Sequence, residues 1–156
     1  MAKVEIKMPE EFLKKVSRLA EKTDEIVEKA LEAGGEVVLD KVKSNLRGVI
    51  GKDLKDNKPS RATGELLDSL GMAPVDVDRK GVHNTKIGFN EPRRKQHAAK
   101  KKRSYHLATN AMIANVLEHG KHGQPAKPFL KPAKRASQKR CRDVMEQTLE
   151  EEIRKL

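Results

Sequence analysis

Tryptophan is absent from the chain, tyrosine occurs once and phenylalanine three times, so aliphatic side chains must do most of the packing. A single cysteine, Cys141, excludes an intramolecular disulfide and fits a reducing compartment. It lies near the apolar stripe of an expected helix, a setting that favours packing over catalysis. The opening MAKVEIKMPEEF holds no apolar run of signal-peptide length, and no later stretch reaches membrane-spanning length. These absences lead us to expect a soluble intracellular protein without a membrane partner. Several chemical signatures are also missing: a Gly-rich phosphate loop, a Gly-x-Ser-x-Gly turn, and a thiol with an adjacent base.

Charge is abundant and unevenly distributed. The net charge is +11, yet the segment from Lys86 to Arg140 holds fifteen Lys and Arg against only Glu91 and Glu118, which leaves the rest of the chain close to neutral. Within it, EPRRKQHAAKKKRS (91–104) has no apolar periodicity and reads as a mobile basic loop at about 91–105. Arg93, Arg94, Lys95, Lys100, Lys101, Lys102 and Arg103 are its candidate contacts to phosphate or to an acidic partner. No aromatic is interleaved for base stacking, so any DNA contact would be nonspecific.

Apolar periodicity supplies the elements. Steps mostly of three and four from Phe12/Leu13 through Val16, Ile26/Val27, Ala30/Leu31, Val37/Val38 and Val42 to Leu46 predict one long helix over about 10–47. Gly34-Gly35 is its expected point of weakness or bending. Glycine, proline and alternating charges over 48–61 predict a loop, and ATGELLDSL (62–70) a short helical turn capped by Thr63. Val75/Val77 and Ile87/Phe89, two apart on either side of a turn at 78–81, predict a β-hairpin, with Pro74 confining the first strand to an edge. Helical spacing returns over 108–119 and ends at Gly120. A closing helix from Lys131 carries Ala133, Ala136, Cys141, Val144/Met145, Leu149 and Ile153 on or near one stripe, with Ser137 interrupting it. The chain reads as a single domain over 1–156, α+β in class: a long N-terminal and a C-terminal helix packed on a small antiparallel sheet.

Between the last two helices lies GQPAKPFLKPAKRA (123–136), with three of the seven prolines. Pro125 and Pro128 favour extended backbone, whereas Pro132 suits the first turn of a helix, where no N–H is needed. The stretch reads as a rigid strap that delivers Phe129 and Leu130 to a fixed place and then launches a helix.

Five histidines raise a metal or nuclease reading. Glu118, His119 and His122 lie close in sequence, but the intervening glycines break the helix that would align them, and Cys141 has no partner cysteine. His83, Asn84, His97 and His106 show no disciplined ligand spacing. The expectation is no metal, no cofactor and no catalysis.

Three stretches, in this order, resemble the neck or tail-component proteins of long-tailed bacteriophages, also called head–tail joining or tail-completion proteins. PSRATGELLDSL (Pro59–Leu70) is similar to the family's proline, Thr-Gly, leucine and Ser-Leu pattern through Thr63, Gly64 and Leu66. NAMIANVLEHGKHG (Asn110–Gly123) resembles its Ala-x-x-x-Glu-x-Gly stretch through Ala114, Glu118 and Gly120. QPAKPFLKPA (Gln124–Ala133) resembles its Pro-Phe-Leu-x-Pro-Ala signature through Pro128, Phe129, Leu130 and Pro132. Ile113 stands where the family usually has an aromatic, and Lys121 where it has a threonine. The resemblance implies a structural virion protein of the neck, a ring-forming subunit, with a hexamer as the candidate ring, that joins head to tail or completes the tail. It further implies a head-closure protein and a tail terminator or tail-tube protein as partners and assembly in the host bacterial cytoplasm, while nonspecific contact with packaged DNA is an expectation from the basic segment alone. The alternative from the residues alone is a nonspecific DNA-binding protein that uses the 93–103 segment.

Overall fold

The computed structural model describes residues 10–50, 64–90 and 109–156. Helix α1 runs unbroken from Glu10 to Val49, with Glu10 and Glu11 at its positive end and Arg47 in its last turn, as the helix dipole favours. It is followed by α2 (Glu65–Asp68), strands β1 (Leu70–Met72), β2 (Asp76–Val77), β3 (His83–Asn84) and β4 (Ile87–Phe89), and helices α3 (Asn110–His119) and α4 (Leu130–Arg154). The fold is α+β, as the periodicity predicts. Among the described residues no helix is long and apolar enough to cross a membrane.

Helices α1 and α4 form the frame and run antiparallel. Asn45 meets Phe129 at one end, and Lys29 bridges to Glu152 at the other. The hairpin lies against a second side of α1, reaching as far as His83 Nε2, 3.2 Å from Asp24 Oδ1. Gly34-Gly35 does not break the helix. The pair instead lets two elements approach: a β-carbon at Gly34 would stand 2.5 Å from Met145 Cε of α4, and one at Gly35 would collide with Met72 Sδ of β1. Adjacent helical residues point about 100° apart, so neighbouring glycines admit one neighbour each.

The hairpin differs in register from the expected one. Leu70 ends no helix but opens β1 opposite Phe89, and Met72 opposes Ile87. Farther out, Asp76 opposes Asn84 and Val77 opposes His83, while Val75 lies outside the strands. Between the two ladders Ala73, Pro74 and Val75 face Thr85 and Lys86, one residue more on the first arm. This is a bulge, and it places Pro74 where no ladder N–H is required. Ala73 N donates to Lys86 O and Thr85 Oγ1 to Ala73 O, which holds the bulge closed. Gly48, expected in a loop, is still helical, because Ile50 N continues to bond Leu46 O.

The core sits where the C-terminal third of α1 meets everything else. Val42, Leu46, Leu66, Leu70, Ala114, Phe129 and Ala133 form it, with Leu46, Phe129 and Ala133 fully buried. Ser137 is buried too, and its hydroxyl donates to Ala133 O at 2.8 Å, so the interruption of the stripe costs no unsatisfied group. Away from the core α1 is thinly covered: from Glu10 to Glu25 nearly every described side chain is exposed, including Leu13 and Val16.

Candidate functional site

Helix α3 begins at Thr109, whose Oγ1 accepts from Met112 N at 3.1 Å as an N-cap. Its buried face presents Asn110, Ala114 and Glu118 at four-residue steps, with only Ala114 apolar. The helix stops at Gly120, whose φ of 77° belongs to the left-handed region. Space as well as φ requires glycine here, since a β-carbon would lie 2.8 Å from Ala126 N and 2.9 Å from Gln124 O. Lys121 and Gln124 then exchange backbone hydrogen bonds around a tight turn, and Lys127 N donates to Leu117 O at 2.7 Å. The strap is thereby folded back along the helix it has just left.

That reversal carries the start of α4 to Glu118. Its Oε2 accepts from Phe129 N and Leu130 N, both at 2.8 Å, and its Oε1 from Lys131 N at 3.0 Å. A helix begins with four backbone donors lacking intrahelical partners. Here three are taken by one carboxylate, and the fourth position is Pro132, which has no N–H. The first intrahelical bond follows at once, Ala133 N to Phe129 O. Helix α4 has no acid of its own in its first turn, so the charge its dipole favours arrives from α3.

Burial pushes the Glu118 carboxyl up, but the bonds from Leu130, Lys131 and Phe129, helped by nearby His119, outweigh it and hold the group below its ordinary 4.5. Glu118 is thus an ionised acceptor whose oxygens are committed to the backbone, and it is not available as a proton donor. Phe129 is fully buried, edge-on to Phe89 of β4 with ring centroids 6.4 Å apart, and its carbonyl also accepts from Asn45 Nδ2 of α1 at 3.2 Å. One residue therefore touches the sheet and both long helices. Leu130 beside it is half-buried, and Pro128 is exposed.

Glu118, Gly120, Phe129, Leu130 and Pro132 are brought together in this seam. Leu66 is buried in the same core, and Gly64 precedes α2 with φ 79° and open space around it, so its conformation rather than crowding calls for glycine. Thr63 and the basic residues Arg93, Arg94, Lys95, Lys100, Lys101, Lys102 and Arg103 lie outside the described residues. Asn110, which the sequence reading passed over, is 1% exposed and donates to Asn90 O at 3.0 Å, tying the start of α3 to the end of β4. A buried polar residue at the four-residue step before Ala114 was the available signal.

His119 and His122 are exposed, and among the described residues no group of three or more His, Cys, Asp or Glu is placed to hold a metal ion. Cys141 is half-buried with its thiol pushed up by burial, the opposite of nucleophile activation. What the arrangement does is hold helix, strap and sheet in one geometry.

A family model described as "Bacteriophage HK97-gp10, putative tail-component" matches residues 10–120, from the start of α1 to the glycine that ends α3. No curated protein and no solved structure matches the chain.

Proposed function

The chain belongs to the HK97-gp10-like family of bacteriophage tail components, and from that premise we propose that it is a structural virion protein of the neck, a ring-forming subunit that joins head to tail or completes the tail. The match over residues 10–120 carries this reading. The physical setting supports it. A polar chain whose longest helix leaves Leu13 and Val16 exposed gains by covering that surface in an assembly. Glu118, the buried carboxylate best placed for chemistry, is consumed in holding backbone, which fits a structural role better than a catalytic one.

In this reading the subunit assembles in the host cytoplasm and ends in the virion. A head-closure protein lies on one side and a tail terminator or tail-tube protein on the other. Arg93, Arg94, Lys95 and Lys100–Arg103 make diffuse contact with packaged DNA or an acidic neighbour. The test is a phage lacking the gene, complemented in trans. We expect lysates with full heads and separate or unfinished tails, restored by the parent chain, and antibody label confined to the head–tail junction. Normal infectious particles without the gene would overturn the proposal.

A further inference from the structure

The described surface carries two rows of charge that have no ion-pair partner among the described residues. On α1, Glu21, Glu28, Glu32 and Glu36 fall on one face at helical spacing, with Glu25 beside them already paired to Lys29. All are exposed, and among the described residues none of the four forms an ion pair. On α4, Lys131, Arg135, Lys139 and Arg142 step by four, four and three along one face, with Lys134 alongside. All five are exposed and, among the described residues, unpaired.

The second row also runs against its own helix. Six bases and no acid occupy 131–142, at the positive end of α4, while five acids against two bases fill 143–156 at the negative end. Each placement is unfavourable to the dipole. Packing does not require it for Lys131, Arg135, Lys139 and Arg142, which lie on the face of α4 away from the buried Ala133 and Ser137, whereas Arg140 lines the groove between α4 and α1. An external partner would account for it.

Within one subunit the two rows are offset rather than face to face. Because α1 and α4 are antiparallel, with Lys29 at Glu152 and Asn45 at Phe129, the acidic row of α1 lies beside the acidic half of α4. The basic row lies beside a stretch of α1 in which Lys41, Lys43 and Arg47 outnumber the one acid, Asp40. The row centres are about 18 Å apart along the frame at 1.5 Å per residue, roughly two Debye lengths at physiological salt. The rows are thus offset along the frame and come level only at their ends, near Glu36 and Arg142.

We infer that these rows are the two halves of one contact: the acidic row of α1 on one subunit receives the basic row of α4 on the next copy of the same chain. The rows are comparable in length, about 22 Å and about 16 Å by helical rise. A contact between different faces of identical subunits is heterologous, the kind that generates a ring when its rotation closes. A duplex could use only the basic row and would be repelled by the acidic one, so a second copy is the occupant that uses both. The inference rests on the ring reading above and names the surfaces that make the ring.

A charge-swap experiment on the full chain tests it, read by sedimentation velocity at low and moderate salt. The parent should assemble, less so as salt rises. Glu28→Lys/Glu32→Lys/Glu36→Lys and Lys134→Glu/Arg135→Glu/Lys139→Glu should each keep the parental circular dichroism and melting transition. Each should weaken self-association by at least about a hundredfold, as juxtaposed like charges do. Mixing the two variants should restore assembly, because each supplies the face the other has lost, and a chain carrying both swaps should assemble alone. Parent-like assembly of both single-swap variants would overturn this contact while leaving the ring in place. A parent that remains monomeric throughout would fail the ring reading itself. An α4 variant that assembles normally but loses DNA binding would assign the basic row to DNA and overturn the inference.

Discussion

Replacing Glu118 by alanine strands three backbone donors at once, that of Phe129 fully buried and the other two partly so, and we expect a loss of about 2–4 kcal/mol, above the usual cost of a lost cap. Glu118→Gln keeps one acceptor oxygen and should lose less, about 1–2 kcal/mol. The pH dependence has a definite sign. Because the folded carboxyl titrates below its ordinary 4.5, its contribution is complete above that pH and is lost as the pH falls through the folded value. The stability gap between parent and Glu118→Gln, measured by urea melts across acidic pH, should therefore narrow on acidification; a constant gap would show that ionisation contributes nothing. Phe129→Ala should cost about 3–5 kcal/mol by thermal or denaturant melting, since it empties a fully buried site facing Phe89. The sequence showed that Phe129 and Leu130 are held stiffly, because three prolines mark that plainly. It did not show what holds them. Glu118 reaches residues eleven to thirteen positions onward only because Gly120 reverses the chain, and no local spacing encodes that reach.

At the level of elements, the three helical glycines of α1 should respond differently to a side chain. Gly34→Leu and Gly35→Leu should each destabilise by about 1–3 kcal/mol, by overpacking against Met145 and Met72 respectively. Gly48→Ala has open space and should stabilise by about 0.5–1 kcal/mol through helix propensity alone. Melting curves for the three separate close packing from propensity. A kink at the glycine pair would be the natural reading of sequence alone, because a missing side chain looks the same whether it bends a helix or admits a neighbour. Helix α1 was readable to within a turn of its end and α4 from its start, since long runs of residues repeat one period. The hairpin register was not. Its strands are two or three residues long, and Met72, Val75, Val77, Val82, Ile87 and Phe89 allow several pairings. The choice is made by the extra residue at Pro74 and by the docking of Leu70 and Phe89 on the core.

For the whole molecule, the basic segment offers a test separate from the α4 row. Substituting Arg93, Arg94, Lys95 and Lys100–Arg103 by Ser or Gln should remove weak, sequence-blind DNA binding at low salt, with the parent's own binding collapsing as salt rises. Virion assembly in a complementation assay then reports whether the segment is needed for joining. Tight, salt-resistant, sequence-selective binding by the parent would favour the DNA-binding alternative instead. Helix α1 has a further consequence in time rather than in space. Over its 40 residues, one end is clamped by Leu46 in the core, and the other passes beyond the Lys29–Glu152 bridge with nearly every described side chain from Glu10 to Glu25 exposed. A single hydrogen-bonded rod should therefore keep two clocks. Backbone amides around Val42 and Leu46 should exchange with deuterium only on global unfolding, and those around Leu13 and Val16 many times faster, by local fraying. Assembly should slow the fast clock wherever a neighbouring subunit covers the helix, so deuterium uptake along α1 before and after assembly would trace the buried footprint residue by residue.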